Sequence, residues 1–374
     1  MAGVDRTKGG QGMRGAGVTG GGVNLLALRS HNTALVLDLL RTAGAEGISR
    51  LELAERTGLT PQAVSKITGR LREEGLAAEA GRRASTGGKP RTVLRLVPEA
   101  GQAVGLHLDR DELTAVLCDL TGAVVARREA GLDLGAGAEA VVGRAVREVG
   151  ELLGAVPGGS VLGVGVALPG PLDHGRGVLH RVTGLPEWDG FPLRDVLAGR
   201  LGLPVVVDKD TNAAALGLAV RGEAGSFAYL HFGAGLGGGL VIGGAVHRGA
   251  RTGAGEFGHQ VIQLDGPPCE CGNRGCVEAL CLAAAARGDT REAARVLGTG
   301  AGNLVALLDV DLVLLGGRTI AADPDTYVRG VSTALDDRAH RAGEPPIPAR
   351  LASGGVAEGA AQLVLAPLFG RGDG

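Results

Sequence analysis

The balance of basic and acidic residues changes near residue 100. This change limits how the 374 residues can fold more than any other feature of the sequence. Residues 1–100 carry 15 Lys and Arg against 9 Asp and Glu, whereas the remaining 274 residues carry 23 against 31. The net charge of −2 therefore combines a basic N-terminal segment of +6 with an acidic body of −8. Such a split predicts separate domains that meet different partners, and the length agrees with two or three domains of about 150 residues.

The composition is that of a globular protein and excludes several other classes. Hydrophobic residues make up 44% of the chain, yet no apolar run approaches the roughly 18 residues of a membrane span. The 68 glycines have no period of three, which excludes collagen. The N-terminus has no apolar core like that of a signal peptide, so we expect a cytoplasmic protein with no membrane partner. Residues 1–24 are rich in Gly and predict a disordered tail.

The basic segment predicts a winged helix-turn-helix over residues 25–98. A first helix begins near Asn32, and a capping box at Ser49-Arg50-Leu51-Glu52 starts a short second helix. After a turn at Gly58, Thr60-Pro61 supplies the N-cap and first position of a third helix that ends at Gly75. Two short helices joined by a tight turn are typical of a helix-turn-helix. The segment Ser49–Leu76 also closely resembles the winged helix-turn-helix of bacterial repressors.

Polar and basic side chains on the third helix and on the following hairpin are candidate contacts to double-stranded DNA. We predict that the hairpin carries four cations in a flexible tip that lies along the DNA backbone or enters the minor groove. The candidate DNA contacts are Thr60, Gln62, Ser65, Lys66, Arg70, Arg82, Arg83, Lys89 and Arg91. The alternative is a small helical protein-interaction module with a solvated basic loop.

Strands and helices alternate from Ala103 onward. Strands are predicted at 104–109, 113–120, 124–129, 161–168, 205–208, 227–232, 240–242 and 312–315, and helices at 139–153 and 211–220. Glycines follow several of these strands, including the run Gly233–Gly239 and Gly316-Gly317. This pattern predicts an α/β fold that binds a ligand in a cleft.

Seven segments of this body resemble the ROK family, which comprises repressors, open reading frames and kinases. They are Leu168–Pro171, Glu187-Trp188, Asp208–Ala215, Gly233–Gly239, Gly255–His259, Gly266–Glu278 and Leu314–Gly317. The resemblance covers most of residues 103–370 and implies an actin-like (ribonuclease H-like) sugar-kinase fold, with two α/β lobes around a cleft. Together with the winged helix it implies a transcriptional repressor with a sugar effector. As a homodimer or dimer of dimers, such a protein would bind an inverted-repeat operator.

One imidazole and three thiols form a candidate zinc site. They are His259, Cys269, Cys271 and Cys276. This set completes the tetrahedral coordination of Zn²⁺ and leaves no open position, so the site would be structural. The pattern is also the family's zinc signature, and the alternative is a reduced Cys-rich loop. Cys118 and Cys281 lie in apolar segments, where we expect ordinary core residues.

The resemblance also implies a sugar site, whose candidate residues are Gly170, Lys209, Asp210, Glu256, His259 and Glu278. Carboxylates suit polyols because each oxygen can accept hydrogen bonds from neighbouring hydroxyls. Asp210 matches the general base of the family's kinases, but it could equally bind a sugar without chemistry or cap a helix. Lys209 stands where the kinases normally have Asn, so a salt bridge to a nearby carboxylate is its alternative role. The region around Val182 and Thr183 is expected to complete the cleft.

The first phosphate loop departs from the family's kinases, which carry Asp-x-Gly-Gly-Thr there. This chain has His107-Leu108-Asp109-Arg110-Asp111, so carboxylates would repel a polyphosphate and Cβ atoms stand where backbone amides should approach. Ala234 replaces a usual Thr in the second loop, and a segment that covers adenosine in the family is missing after Glu278.

These departures predict no ATP binding, no catalytic residue and no kinase activity, with Asp210 a vestigial base position. Two alternatives stay open. One is a ROK sugar kinase with an appended regulatory domain, and the other is a regulator whose body binds no small molecule and serves only for dimerisation.

Overall fold

The computed structural model describes residues 31–85, 88–156, 159–180, 185–223 and 225–371. The predicted tail at 1–24 lies outside the described residues, as do residues 25–30 of the predicted winged domain and Val182 and Thr183 of the predicted cleft. No helix among the described residues is long and apolar enough to cross a membrane.

The part of the winged helix-turn-helix that the structure describes contains three helices and a three-stranded sheet. The helices are α1 (His31–Ala43), α2 (Arg50–Thr57) and α3 (Pro61–Glu73), and the strands are β1 (Ile48–Ser49), β2 (Ala77–Ser85) and β3 (Gly88–Leu96), in the order β1-β3-β2. The predicted caps are present. Ser49 Oγ accepts from the Glu52 amide at 3.3 Å while the Glu52 carboxylate accepts from the Ser49 amide at 2.8 Å, and Thr60 Oγ1 accepts from the Ala63 amide at 3.2 Å.

The predicted hairpin of the wing is present, and residues 86 and 87 at its tip lie outside the described residues. Strand pairing continues through Arg83 with Arg91 and ends at Ser85 with Gly88, so the four cations lie on two paired strands. Pro90 cannot donate a backbone hydrogen bond, but it falls opposite the register shift between Arg83 and Ser85, where the hairpin tolerates it. The side chains of Arg83 and Lys89 lie outside what the structure describes.

The first lobe of the body is built on a mixed five-stranded sheet in the order β10-β7-β4-β5-β6. Its strands are β4 (Gln102–Leu108), β5 (Glu112–Asp119), β6 (Val124–Gly131), β7 (Val161–Leu168) and β10 (Val205–Lys209), and a short hairpin is formed by β8 (Leu172–Asp173) and β9 (Val178–Leu179). Helices α4 (Ala138–Gly154) and α5 (Leu193–Leu201) share one core with this sheet, because their apolar positions recur with the helical period. Trp188 completes that core and donates from Nε1 to the Leu134 carbonyl at 3.0 Å.

The second lobe repeats the plan with the strand order β13-β12-β11-β14-β15. Its strands are β11 (Phe227–Phe232), β12 (Leu236–Ile242), β13 (Ala245–Val246), β14 (Leu312–Gly316) and β15 (Ala349–Leu351). Its helices are α7 (Val277–Ala286), α8 (Thr290–Leu308), α9 (Arg318–Ala322) and α10 (Pro324–Ala342). Helices α7, α8 and α10 bury their apolar side chains against this sheet.

Helices α6 (Asp210–Val220) and α11 (Val356–Leu365) join the two lobes. Their backbones approach the strands so closely that several contacts require glycine. A Cβ at Gly105 would lie 1.9 Å from the Ala357 carbonyl oxygen of α11, and one at Gly165 would lie 1.8 Å from that of Ala360. The two lobes therefore enclose a cleft that is bordered by the ends of α6 and α11.

The glycine run Gly233–Gly239 is only partly the loop that the sequence suggested. Gly237, Gly238 and Gly239 belong to β12 and pair with β11. A Cβ at Gly239 would lie 2.1 Å from the Thr211 carbonyl oxygen of α6. Helix–strand approach therefore explains glycine at this position without any phosphate.

Candidate functional site

Helix α3 presents a polar face to solvent. Gln62, Ser65 and Lys66 are exposed, whereas Val64 and Leu71 are buried in the core of the winged helix. The exposed face lies beyond the capped N-terminus that Thr60 forms, where backbone amides and the helix dipole favour a phosphate. Arg82 and Arg91 of the wing are also exposed.

Arg70 makes a contact that the sequence did not indicate. Its Nη2 donates to Thr33 Oγ1 at 2.7 Å, and its Nε lies 3.9 Å from the Glu74 carboxylate. The first contact ties α3 to α1 within the winged helix. A role in DNA binding stays a prediction for Arg70, which here bridges two helices.

A cavity of about 90 Å³ lies beside the carboxyl ends of β7 and β10, where ligands bind in open α/β sheets. It brings together all of the candidate sugar residues, which are Gly170, Lys209, Asp210, Glu256, His259 and Glu278. Polar side chains outside that set also line it, namely those of Asp109, Arg110, Thr211 and His231. The cavity is thus surrounded by carboxylates, cations and imidazoles.

Lys209 lines this cavity, and its ammonium group is buried. Its Nζ donates to the Ala254 carbonyl at 2.5 Å and to Glu256 Oε1 at 3.1 Å, and its side chain is 4% exposed. The stem runs against Gly170, where an added Cβ would lie 2.6 Å from Lys209 Cδ. Lys209 therefore forms the salt bridge that the sequence offered as its alternative role, and its partner is another candidate sugar residue.

A buried ion pair holds the turn from β10 into α6. Asp208 Oδ2 accepts from Arg248 Nη2 at 2.7 Å and from Nε at 2.8 Å, and both side chains are at most 8% exposed. Asp208 Oδ1 also accepts from Asn212 Nδ2 at 2.9 Å and from the Lys209 amide at 2.7 Å. The Asp208 carboxylate therefore binds side chains from α6 and from the segment that contains Arg248. These contacts restrain the backbone between Lys209 and Asn212.

Asp210 begins α6, and its Oδ1 accepts from the Thr211 amide at 2.6 Å. Burial lowers the pKa of nearby His107, against the opposing charges of Asp210 and Asp109, so that imidazole is neutral at physiological pH. Tyr229 Oη lies 2.9 Å from His231 Nδ1, and burial raises the pKa of the Tyr229 phenol. The rings of His107 and Tyr229 are therefore uncharged at physiological pH.

The four candidate metal ligands lie in one cluster. Their ligand atoms, from His259, Cys269, Cys271 and Cys276, are all within 4.8 Å of one another. Cys269 Sγ lies 3.7 Å from His259 Nδ1, and Cys271 Sγ lies 3.7 Å from Cys276 Sγ. A tetrahedral Zn²⁺ with Zn–S bonds of about 2.3 Å requires S–S separations of about 3.8 Å, so the donor set fits this ion.

Backbone geometry brings the loop back on itself around the cluster. Gly275 has a φ of +65°, and a Cβ there would lie 1.7 Å from the Gln263 carbonyl oxygen. Bridges pair Val261 with Cys276 and Pro268 with Arg274. The chain then enters α7, whose N-cap is Cys276.

This cluster lies directly beside the sugar-site candidates. Glu278 belongs to the first turn of α7 and accepts from the Leu236 amide at 2.8 Å. His259 Nδ1 lies 3.9 Å from Glu278 Oε1, and both residues line the 90 Å³ cavity. A metal held on the Nδ1 side would leave His259 Nε2 available to a hydroxyl.

A second cavity of about 450 Å³ occupies the cleft between the lobes. The turn at Asp109–Asp111 faces the second lobe across it, and Arg318 Nη1 lies 2.7 Å from Asp111 Oδ1. Arg127 forms another ion pair, with Glu358 of α11. A Cβ at Gly233 would lie 3.6 Å from Asp109 Oδ2, so a carboxylate stands where the two predicted phosphate loops meet.

Sequence reasoning missed several residues of these sites. Arg248 and Glu358 are distant in sequence from their partners Asp208 and Arg127, and no local pattern indicates such pairs. Asp208 offered a usable signal, because an acidic residue in a strand that is otherwise apolar requires a buried partner.

Comparisons with known proteins agree with both parts of the chain. A family model described as the ROK family matches residues 103–291, and one described as winged helix-turn-helix DNA-binding matches residues 36–77. Among solved structures, a ROK family transcriptional regulator described as a homolog of the E. coli MLC protein matches with a TM-score of 0.73. The match covers 91% of this chain and 98% of that chain, and at 22% identity it shows the fold alone. The predicted fold class, a two-lobed body behind a winged helix, is confirmed.

Relatives of both kinds, repressor and kinase, are similar in sequence. The chain is 31% identical to the xylose repressor of Caldicellulosiruptor bescii over 265 residues, which cover 68% of this chain and 64% of the repressor. It is 42% identical to the glucokinase of Thermotoga maritima over 134 residues, which cover 34% of this chain and 42% of the kinase. The chain spans less than two thirds of the length of the curated repressors that it matches.

Proposed function

Because the chain belongs to the ROK family and carries a winged helix-turn-helix, we propose that it is a transcriptional repressor whose DNA affinity depends on a sugar. One observation carries this proposal. The helix that exposes Gln62, Ser65 and Lys66 shares a hydrophobic core with the body that contains the carboxylate-lined cavity. A ligand in the body can therefore bias the position of the DNA-binding face.

The proposed effector is a sugar or sugar derivative bound in the 90 Å³ cavity. Glu256, Glu278 and Asp210 would accept hydrogen bonds from hydroxyls, Lys209 would donate one from its ammonium, and the His259 ring would donate or accept. Xylose is the first candidate to test, because a repressor relative is named for it. Lys209 would have to share its ammonium between Glu256 and the ligand.

The proposed metal is a structural Zn²⁺ held by His259, Cys269, Cys271 and Cys276. It would supply coordination bonds that hold the loop before α7 and orient the His259 ring toward the sugar. The donor set and the 3.7 Å separations support this role.

The proposed domains are the winged helix at residues 25–98 and the sugar-binding body at 103–370. The proposed operator is an inverted repeat, because a two-fold symmetric homo-oligomer presents two winged helices related by that axis. Sugar binding would close the lobes and change the spacing of the pair.

A sugar kinase is the second candidate, since Asp210 lies beside the cavity in the position of the kinase base. Against it, Asp109 lies close to Gly233, and the Arg318–Asp111 ion pair spans the cleft where a polyphosphate would lie. We therefore propose that the protein has no kinase activity. Sugar-dependent release of ADP that Asp210→Asn abolishes would contradict this.

The decisive experiment is selection of genomic DNA fragments by the purified protein, followed by elution with single sugars. A repressor retains fragments that share an inverted repeat, and its effector releases them or tightens their binding. If fragments are retained but no sugar changes their retention, the body has a dimerisation role without a ligand.

Lys66 provides the test of the DNA-binding face. We expect Lys66→Ala to weaken operator binding about tenfold and to reduce the slope of log affinity against log salt by about one, as for the loss of one phosphate contact. Arg72→Ala is the matched control, because Arg72 lies on the same helix and pairs with Glu79 at 3.0 Å. A Lys66→Ala/Arg70→Ala variant that binds DNA like the wild type shows that α3 is not the recognition helix.

A further inference from the structure

Helix α11 connects the interlobe cleft with the winged helix. Its first residues Val356, Ala357 and Glu358 line the 450 Å³ cleft, and Glu358 pairs with Arg127 of β6. Its last residue, Leu365, and Phe369 just beyond it are buried in the core that also contains α1. One helix therefore spans the distance from the cleft to the DNA-binding domain.

Close backbone contacts hold α11 between the lobes. Beside the contacts with Gly105 and Gly165 of the first sheet, a Cβ at Gly359 would lie 2.1 Å from the Ala213 carbonyl oxygen of α6. A Cβ at Gly217 would lie 2.9 Å from Gly359 Cα. Helix α6 begins at Asp210, which lines the sugar cavity. Because α6 and α11 are closely packed, a ligand that displaces α6 would also displace α11.

At its far end, α11 leads into a compact joint with α1, which we call the C-terminal joint and define as Asp38, Arg41, Phe369 and Arg371. Arg371 Nη2 donates to Asp38 Oδ2 at 2.9 Å, and Arg41 Nη2 donates to Asp38 Oδ1 at 2.7 Å. The Arg41 guanidinium also lies 5.2 Å from the centroid of the Phe369 ring. Two cations and one ring thus surround a single carboxylate.

The joint continues to the recognition helix through one hydrogen bond. Thr33 lies five residues before Asp38 on α1 and accepts from Arg70 of α3 at 2.7 Å. A shift of α1 would therefore move α3 through a polar contact as well as through the shared core.

We propose that the four residues of the C-terminal joint are positioning residues that transmit a ligand-dependent movement of α11 to α3. The inference rests on the proposed sugar-responsive function and adds the route by which the sugar acts. Neither Asp38 nor Arg371 lines the sugar cavity or belongs to α3, so both act only through their neighbours. The joint should thus affect the response to sugar and leave the two binding events intact.

The test measures operator affinity with and without sugar in the full chain, using D-xylose, D-glucose and N-acetyl-D-glucosamine as probes. For the probe that acts on the wild type, we expect a change of about 5-fold to 150-fold in operator affinity. In Arg371→Ala and Asp38→Ala this ratio should fall toward one, while sugar affinity and sugar-free operator affinity stay within about threefold of wild type. The double variant should lose no more than either single variant.

Two further variants keep the test decisive. Arg371→Lys keeps a cation beside Asp38 and should retain part of the response that Arg371→Ala loses. Arg295→Ala is the control, because this ion pair with Glu292 lies within α8. An unchanged sugar response in Arg371→Ala and Asp38→Ala overturns the proposed role of the joint. A wild type that binds its operator with the same affinity in the presence of every sugar overturns the proposed function itself.

Discussion

At the scale of single residues, the cavity proposed to bind the sugar is lined by side chains that restrain one another. Lys209 holds Glu256, the Leu236 amide holds the Glu278 carboxylate, and Asp208 with Arg248 holds the turn before Asp210. Restrained groups lose little entropy when they bind a ligand, which favours a specific site. The buried Asp208–Arg248 pair would be costly to break, because either charge left alone is poorly solvated.

Glu278 is the residue whose loss should affect the sugar most clearly. We expect Glu278→Gln to reduce sugar affinity about 10-fold to 100-fold, since a charged acceptor of hydroxyl hydrogen bonds becomes a neutral amide. Isothermal titration calorimetry measures this. The matched control is Glu270→Gln in the loop before α7, an exposed carboxylate that does not line the cavity. If the Glu278 and Glu270 variants bind the sugar with equal affinity, Glu278 does not contribute to sugar binding.

At the scale of elements, short segments provide the proposed DNA-binding face and the proposed metal site. Helix α3 has a capped N-terminus and one exposed polar face, and the loop before α7 folds back through Gly266 and Gly275. A loop of this kind has little apolar surface of its own, so a bound metal would supply much of its stability.

The metal prediction concerns this loop. We expect purified protein to contain about one zinc per chain, and Cys271→Ser to lose it, with a lower melting temperature and about 10-fold to 100-fold weaker sugar binding. Elemental analysis and thermal unfolding measure the two effects. Cys281→Ala, which removes a buried thiol outside the cluster, should keep the metal. Metal-free protein that binds sugar with the affinity of the wild type would contradict the proposed role of the zinc site.

At the scale of the whole molecule, the winged helix and the body form one continuous structure. Leu40 and Leu94 of the winged helix share a core with Val116 of the first sheet and with Ala361 and Leu365 of α11. Such a core couples the two parts more tightly than a flexible linker would, and it makes their relative position sensitive to movement of α11.

The joint between these parts predicts a pH dependence of stability. Burial would raise the pKa of Asp38, but hydrogen bonds from Arg371 and Arg41 outweigh it and hold the pKa below the ordinary value of 3.8. A lowered pKa stabilises the fold above the ordinary value, and this contribution is lost as the pH falls through the lowered value. At pH 7 we expect Asp38→Asn to lower the melting temperature by about 2 °C.

The difference between Asp38→Asn and the wild type should shrink as the pH falls below about 4, because the wild-type carboxyl becomes protonated there. Differential scanning calorimetry from pH 7 to pH 3 follows it. Asp195→Asn, whose carboxylate is 67% exposed, serves as the control. A difference that is constant across this range would show that the charge of Asp38 does not stabilise the joint.

Features that depend on neighbouring residues could be predicted from the amino-acid sequence alone. The caps at Ser49 and Thr60 and the main strands of both sheets follow from local hydrogen bonding and apolar periodicity. The spacing of the candidate metal ligands and the absence of glycine at Asp109 and Arg110 can also be read directly from the sequence. Both depend only on residue type and order.

Contacts between groups that are distant in sequence could not be predicted, because packing sets them. The pairs Lys209 with Glu256 and Arg127 with Glu358 and the strand glycines of β12 all arise from packing between elements far apart in sequence. The position of α11 between the lobes is the clearest case, since its sequence predicts at most an apolar helix. Two glycines that admit its backbone, at positions 105 and 165, precede its first residue by 251 and 191 residues, so no local pattern connects them.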